Sequence, residues 1–375
     1  MVRFPLLVLC LSACLALPAM AADAVDISLD QGELDGALYT ILRPFNWHNG
    51  PVLVVAHGWR PPQAPLVADL DPGDPFVAGL LADGWLVATS SYRRNGLIID
   101  DAREDLFTLL TYIVREHGPS NRIVIEGASL GANIAVLLAE DEARDWSNIR
   151  RMFSVHGVIA LGADFEAEGP DGPLGWTWRP GVPLLLVSNR SEMASPRDYA
   201  FKANTAPVKP SLWRLERDGH VNINGAERRR ALQAMDQWLD TGRRPPGAPP
   251  YGQDMTVDRS GRLSVSVPTE RGRLGTVVAV DPAYGNVDTD FVVADLDSLG
   301  IDRRFRVRCG ETTRRVFFGE SYGDVEAGRF VAFINADGGL RLAVNQGHAA
   351  RKLGCRAGDT LELLPPGRKT QPRPD

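Results

Sequence analysis

The sequence predicts an α/β protein: a mostly parallel sheet covered by helices on both faces, followed by a smaller, mostly β, barrel-like domain. Three observations predict it. Residues 26–241 alternate continuous apolar runs with stretches of helical spacing. That alternation builds a parallel sheet, because each crossover helix carries the chain back to lay the next strand alongside. Residues 242–256 are rich in Pro and Gly and break the pattern. From about 257 the texture changes to short β-like runs punctuated by Gly, Asp and Asn, the mark of a small β domain.

Taken in order, Val52 to Ala56 is a continuous apolar run, as a strand buried on both faces should be. Gly84 to Ser90 is a second. Asp101 to His117 places Leu106, Leu109, Leu110 and Ile113 at helical spacing, and Gly118-Pro119 stops it. Arg122 to Glu126 reads as a strand and Ala132 to Leu138 as a helix. Val158 to Leu161 and Pro183 to Val187 are two more buried strands, and Leu212 to Leu215 is a short last one. Ala226 to Leu239 closes the unit as an amphipathic helix with Leu232, Met235 and Leu239 on one face. Gly242 to Pro250 cannot be helix or central strand, so 242–256 reads as a stiff linker. Beyond it, Leu263 to Val267, Gly275 to Val280, Phe305 to Val307, Arg329 to Phe333 and Leu340 to Val344 are β-runs, and the Pro-rich 365–375 reads as a disordered tail. The expected divisions are 1–21, 22–241, 242–256, 257–364 and 365–375.

A length of 375 residues suits two domains better than one. The net charge of −6 argues against nucleic acid as the main partner, since phosphate binding needs a basic face. Nothing after residue 25 is apolar for long enough to span a bilayer. The N-terminus reads as an export signal: Arg3, an apolar stretch from Pro5 to Leu17, and a small-x-small site at Ala19-Met20-Ala21. That predicts cleavage after Ala21 and a periplasmic or secreted protein. Leu11-Ser12-Ala13-Cys14 also fits a bacterial lipobox, so a lipid anchor on Cys14 is the competing expectation. After cleavage two cysteines remain, Cys309 and Cys355. In an oxidising compartment they either bridge each other or stay as two buried thiols.

The chemistry begins at Gly127-Ala128-Ser129-Leu130-Gly131. A G-x-S-x-G turn between a strand and a helix is a nucleophile elbow, which holds a serine hydroxyl out of a tight bend. Serine needs a base to take its proton and a third group to orient that base. The chain has six histidines, so the search is short. His57 sits at the mouth of a strand, His117 ends a helix, His156 precedes a strand, His48 lies in an N-terminal loop and His348 in the second domain. His220 is left, on the loop between the last strand and the final helix, which points to it as the base. The oxyanion needs preorganised N–H donors. The elbow offers the backbone N–H of Leu130, and the loop His57-Gly58-Trp59-Arg60 offers that of Trp59.

On these motifs, with Ser91 to Gly96 and Gly219-His220-Val221-Asn222, residues 26–241 resemble the α/β-hydrolase superfamily. The resemblance implies acyl transfer to water through an acyl-serine. It also implies a triad carboxylate between Ser129 and His220 in chain order. Related enzymes place that acid about four residues into the loop after the strand ending at Val187, which selects Glu192; Asp164 and Asp198 remain alternatives. Trp59, Trp176 and Trp178 either line the site or pack a loop. The stretch from Glu168 to Pro183 is too short for a large helical cap, so an open site is expected.

Residues 270–364 resemble the C-terminal domain of the S-adenosylmethionine hydroxide adenosyltransferases. The motifs are Val278 to Asp281, Tyr284 to Asp290, Ser321 to Val325, Asn335 to Leu340 and Ala343 to Ala350. The resemblance implies that Asn286 helps hold the amino-acid end of a nucleoside ligand. Asp290 and Ala336 stand where that family has Asn and Ser, and the unit before it is of a different kind. It therefore reads as a β-module borrowed for binding or assembly, including oligomerisation. The sequence as a whole predicts an exported serine hydrolase acting on a small acyl substrate, an ester before an amide, with no metal or organic cofactor.

Overall fold

The computed structural model describes residues 26–142, 152–169, 172–247, 253–257 and 261–366. The export segment, Cys14 and the tail beyond 366 lie outside the described residues. Among those described, no helix is long and apolar enough to cross a membrane.

The first unit runs β1 (Ile27–Leu34), β2 (Ala37–Pro44), β3 (Pro51–Ala56), α1 (Pro75–Ala82), β4 (Leu86–Ser90), α2 (Ile99–His117), β5 (Arg122–Ala128), α3 (Leu130–Asp141), β6 (Gly157–Leu161), β7 (Glu168–Gly169), β8 (Gly172–Pro173), β9 (Leu184–Asn189), α4 (Ala194–Lys202), β10 (Ser211–Leu215), α5 (Gly225–Thr241) and β11 (Gln253–Asp254). One nine-stranded sheet has the order β1-β2-β4-β3-β5-β6-β9-β10-β11. β1 and β2 are antiparallel additions at one edge, and every pairing from β4 to β11 is parallel. β7 and β8 form a separate small hairpin.

The apolar runs behave as strands covered on both faces. Val52, Val54 and Ala56 of β3 join the core under α2, α3 and α4, while Leu53 faces the opposite core with α1 and α5. Ile123 and Ile125 alternate with Val124 in the same way, as do Leu184 and Leu186 with Leu185 and Val187. This two-residue period makes the sheet a shared wall between two cores.

Two expectations change. The 242–256 segment is not linker throughout: Gln253–Asp254 adds a parallel edge strand to β10. The run Leu263 to Val267 is a strand only from Val267. Its aliphatic residues face outward, Leu263 at 83% exposure, while Ser264 and Ser266 both bond the buried Asp295. Alternation was present with its sense reversed.

The second unit comprises β12 (Val267–Pro268), β13 (Arg273–Val280), β14 (Val287–Thr289), α6 (Val293–Ser298), β15 (Arg304–Cys309), β16 (Thr312–Phe318), β17 (Phe330–Ile334), β18 (Leu340–Val344), α7 (Ala349–Leu353) and β19 (Thr360–Leu364). The order β13-β14-β18-β17-β16-β15-β19 closes through β13–β19 pairing into a seven-stranded barrel. Only β16 and β17 run parallel. Closure removes the unpaired edges that a sheet this small would otherwise expose.

Cys309 at the end of β15 and Cys355 after α7 are joined by a disulfide, with Cα atoms 6.2 Å apart and a sequence separation of 46. The sulfurs also lie near Asp359, but thiols spent on a bridge are not metal ligands. A loop of this length contributes about 4 kcal/mol in the chain-entropy account. Denaturant unfolding of Cys309→Ala/Cys355→Ala should show the barrel losing a few kcal/mol of stability relative to the oxidised protein. Reduction of the wild type should reproduce the loss.

Candidate active site

Ser129 sits between β5 and α3 with φ 55° and ψ −120°, a conformation that a residue with a side chain rarely adopts. The neighbouring glycines make it attainable. A Cβ on Gly127 would overlap the Gly131 carbonyl, and one on Gly131 would overlap the Ala56 carbonyl of β3. Helix and sheet therefore touch backbone to backbone on both sides of the serine. The Ser129 N–H donates to the Leu161 carbonyl at 2.9 Å, tying the bend to β6. Leu130 opens α3, where the first N–H groups have no intrahelical acceptor.

The structure brings His220 and Glu192 to this serine. His220 Nε2 lies 2.7 Å from Ser129 Oγ, and Nδ1 lies 2.6 Å from Glu192 Oε2. The other Glu192 oxygen accepts from the Val221 N–H at 3.3 Å. Glu192 ends a short 3-10 turn after β9, and His220 follows β10, so neighbouring parallel strands deliver both. The loops are clamped together. Ser191 Oγ accepts from the Gly219 N–H at 3.0 Å, and Asn189 receives the Asn222 N–H at 2.9 Å while donating to the Asn222 carbonyl at 3.1 Å. Burial disfavours a charged His220 ring. The hydrogen bond and charge of Glu192, with the charge of Asp164, outweigh burial and hold the pKa above the ordinary histidine value.

The other acid candidates stand elsewhere. Asp164 is exposed and its main chain is held by Asn133; it adds charge near His220 but no hydrogen bond. Asp198 lies on α4 and pairs with Lys202 at 2.6 Å. Trp176 and Trp178 pack with Phe165 and Tyr199 around the buried Glu140, which accepts from Tyr199 Oη at 2.7 Å. They pack a loop.

Trp59 follows β3 on the strand's mouth. Its loop is propped by Tyr92, from the Ser91 to Gly96 motif, and by Arg60. Tyr92, buried at φ 57°, donates to the His57 carbonyl at 3.2 Å and packs its ring against the His57 imidazole in a tilted arrangement, centroids 4.2 Å apart. Burial pushes His57 down to about 4, with the Arg60 charge adding to the effect, so this imidazole is neutral. Arg60 is buried and paired with Asp69 at 2.5 Å.

The site is not open on every side, contrary to the expectation, because the barrel stands against it. Tyr284, in the turn after β13, approaches Gly58, and Arg60 lies 5.9 Å from its ring centroid. Asn222 and Asn224 donate to the Ile334 and Ala336 carbonyls of the barrel, each at 3.1 Å. A cleft of about 820 Å³ runs along the back of this junction, lined by Arg217, Asp218, Arg303 and Glu320 among others. Neither Ser129 nor His220 lines it. Asn286, the ligand residue implied by the resemblance, is buried and donates to Tyr322 Oη at 3.0 Å.

Strand order, the elbow, and an acid and histidine delivered in that order by β9 and β10 decide the architecture. The first unit has the α/β-hydrolase fold. Residues 275–362 match the family model of the SAM hydroxide adenosyltransferase C-terminal domain. An uncharacterized conserved protein from Thermotoga maritima is similar at 26% identity over 34% of this chain, with a TM-score of 0.26; the match spans 47% of that protein, about half its length. An esterase from Pyrococcus furiosus is similar at 16% identity, covering 58% of this chain and 90% of its own, with a TM-score of 0.42. A putative dienelactone hydrolase from Klebsiella pneumoniae is similar at 13%, covering 58% of this chain and 99% of its own, with a TM-score of 0.44.

The Ser129, His220 and Glu192 arrangement makes its own titration testable. In NMR the His220 ring should titrate above the ordinary histidine range. Glu192→Gln removes the supporting charge, leaves burial unopposed by it, and should bring the midpoint down. A midpoint unmoved by that change would show that Glu192 does not set it.

Proposed function

We propose that this protein is an exported serine hydrolase that cleaves a carboxylic ester through an acyl-serine intermediate. The carrying observation is the relay in which Ser129 Oγ, both nitrogens of His220, and Glu192 stand at 2.7 and 2.6 Å. Ser129 Oγ attacks the acyl carbon as His220 Nε2 takes its proton, and the carbonyl electron pair moves onto oxygen. The backbone N–H groups of Leu130 and Trp59 receive that oxyanion. Collapse re-forms the carbonyl and expels the alcohol, which leaves with the proton from His220. A water molecule repeats the sequence, and the acid departs from a regenerated serine. Glu192 keeps Nδ1 protonated and stabilises the imidazolium formed at each attack. The Cys309–Cys355 bridge supports an oxidising compartment and so the export half of the reading.

A fluorophosphonate probe should label the folded wild type at Ser129, and Ser129→Ala should abolish both label and turnover of p-nitrophenyl esters. A folded wild type that resists the probe would overturn the reading. His220 acts only when neutral, so kcat/KM should rise with pH along a limb whose midpoint lies above 6.5, in keeping with the raised pKa. Glu192→Gln should move that limb to lower pH and cut kcat by about 10³- to 10⁴-fold.

A further inference from the structure

The barrel places one side chain in the catalytic space. A Cβ built on Gly58 would lie 3.1 Å from Tyr284 Oη and 3.3 Å from Ser129 Cβ. The phenol of the second unit and the nucleophile of the first thus border the same small volume. That volume adjoins the Gly58-Trp59 backbone that supplies an oxyanion donor. Gly58 is what admits the phenol, since any side chain there would meet it.

The tyrosine is held rigidly. Asp281 Oδ1 accepts the N–H groups of Ala283 and Tyr284, each at 2.8 Å, and the Gly285 N–H returns to the Asp281 carbonyl at 2.8 Å. Gly285 has φ 67° and lies against the His348 ring, where a Cβ would collide. The Ala350 N–H then anchors the Gly285 carbonyl at 2.9 Å. Such a turn is preorganised, and fixed donors are what stabilise developing charge well.

The Tyr284 side chain is half-buried, and its phenol lies beside the Arg60 guanidinium. Burial pushes the phenol up to about 12, with the Arg60 charge pulling against it. The group therefore stays protonated as a donor at neutral pH.

We propose that Tyr284, contributed by the C-terminal barrel, is a catalytic residue of the Ser129 site whose phenolic O–H donates to the oxyanion formed at the acyl carbon. The proposal rests on the serine-hydrolase reading. It makes the site bipartite: nucleophile, base, acid and backbone donors come from the α/β unit, and one further donor comes from the barrel. No proton is transferred from Tyr284; its hydrogen bond strengthens as the carbonyl oxygen gains charge and relaxes on collapse.

Tyr284→Phe in the full chain tests this, since it deletes one oxygen and keeps the ring against Arg60. The readouts are kcat and KM on p-nitrophenyl butyrate and the rate of fluorophosphonate labelling, whose phosphonyl oxygen occupies the same position. Both kcat and the labelling rate should fall about 10²-fold, with KM little changed and the melting temperature retained. Unchanged kcat, or a rise in KM alone, would mean that the phenol merely borders the site and would overturn the proposal. A wild type that the probe does not label overturns the underlying hydrolase reading as well, so the two failures are told apart.

Discussion

Helix α3 can lie against strand β3 only because residue 131 has no side chain, and the serine's position follows from that approach. A Cβ at Gly131 would run into the Ala56 carbonyl, and one at Gly127 into Gly131 itself. The two glycines set the angle at which strand turns into helix. Ser129, between them, is driven to φ 55°. Its hydroxyl is thereby raised above the strand ends and toward the loops that follow β9 and β10. Strain of this kind persists only where its surroundings over-determine it. Here the constraints are backbone contacts on both sides and the Ser129 N–H bond to Leu161.

The same economy governs His220. A histidine on a loop would lose orientation if only one side of it were fixed. His220 is fixed twice, through Nδ1 to Glu192 and through its backbone neighbours, because Gly219 bonds Ser191 and Asn222 bonds Asn189. Val221 takes φ 49° to satisfy both. Asn222 also reaches the Ile334 carbonyl of the barrel. The second unit thus braces the loop that carries His220, as well as bordering Ser129.

The parallel core was legible because strands covered on both faces must be apolar throughout, and Val52–Ala56 or Leu184–Val187 cannot be much else. Ser129 and His220 were legible because a motif and a short histidine inventory left few choices. Glu192 was selected by its place in a loop, not by any local signature, and two other carboxylates satisfied the same chain order. What escaped lacked local signal. β16, Thr-Thr-Arg-Arg-Val-Phe-Phe, buries only Val316 and reads as surface. β1 is an edge strand with most side chains outward. Leu263 to Val267 misled because its aliphatic residues face solvent while the serines serve Asp295. Tyr284 belongs to a domain motif, but its proximity to Gly58 is created by docking and no spacing in the chain encodes it.

A polar cluster on the barrel's outer face, opposite the apolar core of Val287, Leu340 and Leu342, bears on how such a module can serve a different partner. Asp288 pairs with Arg341 at 2.7 Å and receives Asn335 at 3.0 Å, while Asn286 engages Tyr322. Arg341 and Asp288 hold each other ionised, the carboxyl below its usual range despite burial. Groups that bond one another in this way leave little free valence for a ligand, because breaking a partly buried ion pair strands an uncompensated charge. The two departures from the resembled family fit the same arrangement. Asp290 accepts the Thr276 N–H at 2.8 Å within the barrel, and Ala336 is buried with its carbonyl on Asn224 of the α/β unit. A small side chain at 336 lets the loop seat against α5's entry. The contact at residue 336 and the turn carrying Tyr284 both face the first unit, one bracing it and the other reaching its serine.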